Sequence, residues 1–129
     1  MRILFYLFSL FFILSCSGDD NNSGPSDSDS FFNPPEWIQG KWLVDDPNMT
    51  FGFEFTHDNF IIVQTGANIN YGETLQMQED LGVNVSTQED ISDSEYEVKI
   101  FIQGTSTTYR FKKINANTIE FQNTNFYKQ

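Results

Sequence analysis

Few side chains in this sequence have the chemistry of a nucleophile, a general base or a metal ligand. Cys16 and His57 are the only cysteine and the only histidine, whereas zinc sites combine several such residues at defined spacings. The acidic pair Asp45-Asp46 lacks the regular oxygen spacing of a calcium loop, and no serine stands in a nucleophile-elbow motif. A single histidine in a predicted turn is typical of a solvent-facing residue. We therefore expect a protein that is not an enzyme and that uses no metal or cofactor.

Cys16 instead closes a short apolar segment at the N-terminus. Residues 3–14 are almost all apolar and follow a single positive charge at Arg2. A membrane-spanning helix needs about 20 such residues, so a run of about twelve has the length of a signal-peptide core. An unpaired thiol is unusual in an exported protein, which indicates a dedicated role for Cys16.

The tetrapeptide Ile13-Leu14-Ser15-Cys16 resembles the lipobox of bacterial lipoproteins, with an aliphatic residue at −3 and a small one at −1. The resemblance implies that residues 1–15 are a signal peptide and that Cys16 carries a diacylglycerol thioether. Each buried methylene contributes about 0.8 kcal/mol, and a single acyl chain binds only marginally, whereas two or three chains anchor stably. The implied partner is a membrane, reached through acylated Cys16.

Residues 16–35 differ in composition from the rest of the chain, being rich in Ser, Asp, Asn, Gly and Pro. Such a segment buries too little apolar surface to offset the entropy lost on ordering, so it is predicted to be a disordered tether. Phe31 and Phe32 are exceptions, and we expect them to pack against the domain that follows.

A second resemblance lies directly after the cysteine. Ser17-Gly18-Asp19-Asp20 is similar to the acidic export signal of some Gram-negative lipoproteins. It implies, through Asp19 and Asp20, an outer-membrane lipoprotein displayed on the cell surface. The alternative is the periplasmic face, with both aspartates only keeping the tether soluble.

Residues 36–129 are expected to form one small domain in which apolar and polar residues alternate. The net charge of the chain, −11, repels nucleic-acid phosphates and anionic lipid, so neither is an expected partner of this domain. Period-2 alternation predicts strands, and the segments concerned are 40–44, 49–56, 60–65, 67–71, 83–91, 96–102, 105–113 and 118–122.

One segment breaks this alternation. Residues 73–81 are rich in Glu, Gln, Leu and Met, which favour helix, and Gly82 is a suitable stop. The chain therefore predicts an all-β fold of about eight antiparallel strands with one short helix. Antiparallel sheets remove their exposed edges by closing, which favours a small up-and-down β-barrel; a two-sheet β-sandwich is the alternative.

Gly40-Lys41-Trp42, at the start of the first predicted strand, resembles the Gly-x-Trp motif of lipocalins. The resemblance implies that Trp42 plugs one end of a lipocalin-like barrel. It also implies a basic residue near the last strand that covers this tryptophan; Arg110 and Lys113 are the positions that correspond, although alternation points Arg110 outward. Together with the absence of catalytic motifs, the resemblance leads us to expect a monomeric, non-enzymatic binding module for a small apolar ligand or an envelope protein.

Whether such a barrel is hollow depends on the bulk of its interior. Eight-stranded barrels hold either side chains or one small ligand. Many aromatic residues are in phase to point inward, which favours a filled domain that serves structure, interaction or inhibition. These residues are Trp42, Phe51, Phe53, Phe55, Phe60, Tyr96, Tyr109, Phe111 and Phe121.

Three polar residues are candidates for the mouth of the barrel. Thr87 and Glu89 share the phase of the inward apolar residues of their strand. A carboxylate aimed inward needs a partner, and Lys113 is in phase to supply one. If all three line a mouth, they orient the polar group of a ligand. The competing interpretation is a β-bulge that shifts the register and turns Glu89 to water.

Overall fold

The structure is a computed structural model that describes residues 30–129. Cys16, Asp19 and Asp20 lie outside the described residues, so lipidation and the export signal stay predictions. No helix within the described part is both long and apolar enough to cross a bilayer. The packed unit includes residues N-terminal to the boundary expected at residue 36, because Phe32 is completely buried and meets the Phe60 ring edge-on.

The fold is all-β and antiparallel, with one short helix, as the alternation predicts. The eight predicted strands are present, although the fourth is shorter than expected, and a ninth follows them at the C-terminus. A 3₁₀ turn at Glu36–Ile38 precedes the first strand. The elements are β1 (Gly40–Leu43), β2 (Phe51–Phe55), β3 (Phe60–Gln64), β4 (Ile69–Asn70), α1 (Tyr71–Asp80), β5 (Val85–Ile91), β6 (Glu95–Ile102), β7 (Thr105–Asn115), β8 (Thr118–Phe121) and β9 (Thr124–Lys128).

All nine strands belong to one curled, barrel-like sheet in the order β4-β3-β2-β1-β9-β8-β7-β6-β5. Consecutive strands are neighbours except β4 and β5, which are the two edges and are connected through α1. This is up-and-down topology, and the pairing of β1 with β9 joins the two halves. A single continuous sheet excludes the two-sheet sandwich. The edges β4 and β5 do not pair with each other; α1 contacts both of them, and β3 as well.

The core is an array of aromatic rings from the inner faces of the strands. The ring centroids of Phe111, Phe121 and Phe126 lie 4.8, 5.0 and 5.1 Å from that of Phe53. Edge-to-face rings at these distances stabilise a core beyond their area of burial. All nine aromatic residues predicted to point inward are buried or packed against this core.

Helix α1 forms where the sequence predicts it, starting two residues earlier. Asn70 caps its N-terminus, with its side-chain oxygen accepting from the Glu73 amide at 3.1 Å. Leu75 is completely buried beneath the helix. Gly82, with φ of +88°, follows the last turn in a conformation that favours glycine.

The curled sheet has two distinct ends. The end at which the chain enters the domain is called the near end. There, the Ser30 hydroxyl donates to the carbonyl of Asp58 at 3.4 Å, and the Trp37 indole donates to the carbonyl of Ser92 at 2.9 Å. The β2–β3, β5–β6 and β7–β8 turns lie at this end. The far end carries the β1–β2, β3–β4, α1–β5, β6–β7 and β8–β9 connections.

Candidate functional site

Trp42 occupies the near end and is completely buried. Its indole nitrogen donates to the carbonyl of Ile38 at 2.7 Å, so the 3₁₀ turn covers it. The ammonium of Lys128 lies 5.4 Å from the ring centroid, within cation–π range. Gly40 has φ of +127°, and the Lys128 stem passes 2.9 Å from where a Cβ would stand, so glycine leaves room for this lysine.

The cation over Trp42 therefore comes from β9, and the assignment of that role to Arg110 or Lys113 was wrong. Arg110 is exposed, as alternation predicts, and pairs with Glu97 at 2.6 Å, which raises the pKa of its guanidinium. Lys113 lies 6.0 Å from the ring centroid of the other tryptophan, Trp37.

Thr87 and Glu89 point to the inner side of β5 and hold the N-terminal segment of the domain. The Thr87 hydroxyl donates to the carbonyl of Phe31 at 2.5 Å. The Glu89 carboxylate accepts from the backbone amide of Asn33 at 2.6 Å and from its side-chain amide at 3.3 Å. We call residues 30–33 the strap. The two residues predicted to orient a ligand instead contact the protein's own chain.

Two expectations about Glu89 are wrong. The pairing of β5 with β6 runs from Val85 to Ile91 without a register shift, so no bulge turns Glu89 outward. Lys113 is not its partner either, because the ion pairs within residues 30–129 are His57–Asp58 and Arg110–Glu97. Thr87, Glu89 and Lys113 do not form a common mouth.

Sequence reasoning missed Tyr96 as a partner of Glu89. Tyr96 is completely buried, and its hydroxyl donates to the same carboxylate oxygen that the Asn33 amide reaches. Burial, with the hydrogen bond to Glu89 as a second cause, raises the pKa of Tyr96 well above its usual value. Alternation predicts that both residues point inward on adjacent strands. The pairing places Glu89 opposite Val98 and Tyr96 opposite Ile91, so Glu89 and Tyr96 are diagonal neighbours on the inner face.

A pair of tyrosines joins α1 to β7. The hydroxyl groups of Tyr71 and Tyr109 lie 2.9 Å apart, and both rings pack on Phe60. Burial, followed by the bond to Tyr71, raises the pKa of Tyr109 above its usual value. The main depressions in the described surface lie outside the core, and none is lined by Phe53, Phe60 or Phe111.

The remaining candidates for chemistry lie apart from one another. His57 is exposed in the β2–β3 turn beside Asp58, 3.5 Å away. Residues 30–129 contain no cluster of three or more His, Cys, Asp or Glu side chains that could hold a metal ion. Comparisons with protein-family models, with curated proteins and with solved structures find no match to this chain.

Proposed function

We propose that this protein is an envelope lipoprotein, anchored in a bacterial outer membrane by acylated Cys16, whose barrel-like domain is a non-enzymatic binding module. The lipobox-like Ile13-Leu14-Ser15-Cys16 supports the anchor, and Asp19 and Asp20 support display on the cell surface rather than on the periplasmic face. Gly40, Trp42 and the cation above the indole support a lipocalin-like relationship. The domain acts as a monomer.

The observation that carries the proposal is the filled interior. Phe53, Phe55 and Phe111 meet in the centre of the barrel with centroids 4.8 to 6.4 Å apart, all three are buried, and such packing leaves no room for a ligand. Small-molecule sites bury most of a ligand in a concave pocket. The domain therefore binds through its surface, which favours an envelope protein as partner over an enclosed apolar ligand.

Mass spectrometry of protein purified from membranes tests both parts of the proposal. The wild-type chain should begin at Cys16 and carry the mass of a diacylglycerol thioether, with or without an N-acyl chain, whereas Cys16→Ala should lack this mass and leave the membrane fraction. Solvent extraction of the folded protein should release no stoichiometric lipid beyond the covalent one. An unmodified Cys16 overturns the anchor, and one non-covalent lipid per chain would show that the module encloses its ligand.

A further inference from the structure

The far end of the barrel exposes several large apolar side chains. Met77 and Leu81 are 58% and 74% exposed, and they stand four residues apart, on one face at the C-terminal end of α1. Met49, in the β1–β2 connection at the same end, is 48% exposed. Phe51 and Phe121, at the far ends of β2 and β8, are only partly buried. Helix-in-groove recognition uses such anchors at i and i+4.

These residues belong to a ring of connections that the sheet order places side by side. Thr65 and Thr50 join the β3–β4 and β1–β2 connections, since the Thr65 amide donates to the Thr50 carbonyl at 3.0 Å. Gln103 and Asn84 join the β6–β7 turn to the α1–β5 connection in the same way, at 2.9 Å. We call this ring, with the last turn of α1, the rim; it comprises residues 44–50, 65–68, 77–84, 103–104 and 122–123.

The charges of the rim are all negative. Asp45, Asp46, Glu79 and Asp80 lie on it. Among the cations within residues 30–129, Arg110 and Lys112 border the rim only at the β8–β9 turn, where they share a depression with Gln122 and Asn123. The others, Lys41, Lys99, Lys113 and Lys128, lie on the strands. The acidic groups on the β1–β2 connection and on the last turn of α1 repel anionic lipid and complement a basic partner.

The rim also lies opposite the place where the anchor reaches the domain. The chain enters at the near end, where Ser30 contacts Asp58. About 14 residues separate Cys16 from Ser30, which reach at most about 50 Å. If Cys16 is acylated, the near end is the one tied to the bilayer, and the rim is the surface free to meet another molecule.

We propose that the rim is a docking surface for a protein segment that presents an apolar side chain flanked by lysine or arginine. The proposal locates the binding surface and partner chemistry of the module, and in that sense rests on the proposed function. The apolar anchor covers Met77 and Leu81, while the flanking cations lie against Asp45, Asp46, Glu79 and Asp80.

Nuclear magnetic resonance of the whole mature chain carrying Cys16→Ser tests the proposal without any membrane. The probe is a short peptide of alternating lysine and leucine; glutamate–leucine and lysine–serine peptides of equal length are the matched probes. Amide shifts should concentrate on the rim with the first peptide, and the other two should bind at least about tenfold more weakly, because each lacks the charge or the apolar contact.

Paired variants separate the rim from the rest of the surface. Met77→Ser with Leu81→Ser should raise the Kd about tenfold, and Asp45→Asn with Asp46→Asn should weaken binding and reduce its salt dependence. Ile91→Ser with Ile114→Ser, at near-end residues 46% and 48% exposed, should leave the Kd unchanged. Absence of binding, or shifts spread evenly or centred on the near end, overturns the rim. Equal binding of the lysine–serine peptide would show that the contact depends on charge alone, and would overturn the docking proposal. The membrane anchor and the filled interior are tested separately, by mass spectrometry.

Discussion

The carboxylate of Glu89 on β5 links two parts of the domain through hydrogen bonds. It accepts from the buried Tyr96 hydroxyl and from two groups of Asn33, so it connects the core to the strap. A buried hydroxyl that loses its acceptor costs about 1–3 kcal/mol. Glu89 borders one depression, but the other residues that line it, Gln88, Asp90, Glu97 and Lys99, belong to the outer face of β5 and β6. The inward-pointing carboxylate therefore has a structural role and does not line a barrel mouth.

We expect Glu89→Ala to lower the free energy of unfolding by about 1–3 kcal/mol, because it leaves the Tyr96 hydroxyl and the Asn33 amide unpaired. Glu89→Gln, which keeps one acceptor oxygen, should cost less. In a double-mutant cycle with Tyr96→Phe, measured by urea denaturation, the two losses should be clearly less than additive. Gln88→Ala, on the exposed face of the same strand, is the control. Additive losses would mean that the two side chains do not interact in solution.

The direction of Glu89 could be predicted from the sequence, but its partners could not. Alternation along β5 is a local property with a period of two, and the inward phase of Thr87 and Glu89 is confirmed. Asn33 is 56 residues away and belongs to a segment without periodicity, so nothing in the pattern indicates that it docks there. Lys113 shares the inward phase of Tyr109 and Phe111, but phase does not determine where the end of a long side chain lies.

At the level of elements, β9 is the strand that alternation did not reveal. Only Phe126 among its residues points into the core, and one inward apolar residue is too little to show a period-2 alternation. The β8–β9 turn has φ of +52° and +64° at Gln122 and Asn123, the left-handed pair of a hairpin turn, without the glycine that usually marks one. Yet β9 joins the two halves of the sheet and supplies Lys128 above Trp42.

The strap is the second element that composition concealed. Ser, Asn and Pro surround Phe31 and Phe32, a composition that is typical of a linker. Only the two phenylalanines indicate that the segment packs against the domain. Phe32 is completely buried against Phe60, and the strap bonds to β5 through Thr87 and Glu89. Together with α1, the strap lies at the gap between the two edge strands, β4 and β5, which do not pair with each other. It therefore helps to cover the core where the sheet is open.

Phe32→Ala should therefore lower the free energy of unfolding by about 3–5 kcal/mol, the usual cost of removing a buried aromatic ring. Phe31→Ala is the matched control, since Phe31 is only partly buried, and its cost should be smaller. Hydrogen exchange should accelerate along β5 more than along β1 and β2. A loss below about 1 kcal/mol in urea denaturation would show that the strap is not docked in solution.

For the molecule as a whole, the tyrosines packed in the aromatic core should make the folded state less stable at alkaline pH. Burial raises the pKa of Tyr96 and Tyr109 above the usual value, which is about 10 for an exposed tyrosine. Above about pH 10, the unfolded chain loses protons from these phenols while the folded protein retains them. The folded state then binds more protons, so the free energy of unfolding falls as pH rises, by up to about 1.4 kcal/mol per pH unit for the buried Tyr96 and by less for the partly exposed Tyr109.

We therefore expect the urea midpoint to be insensitive to these two groups below about pH 10 and to fall steadily above it. Tyr96→Phe and Tyr109→Phe should each reduce the alkaline slope, since each removes one phenol that titrates only after unfolding. Tyr127→Phe, at an exposed position of β9, controls for the loss of a hydroxyl and should leave the slope unchanged. Phenolate absorbance recorded with the unfolding signal should rise in the same transition for the wild type. If Tyr96, which is completely buried, ionises while the barrel is still folded, water reaches its hydroxyl, and the sealed interior from which binding at the surface was inferred does not exist.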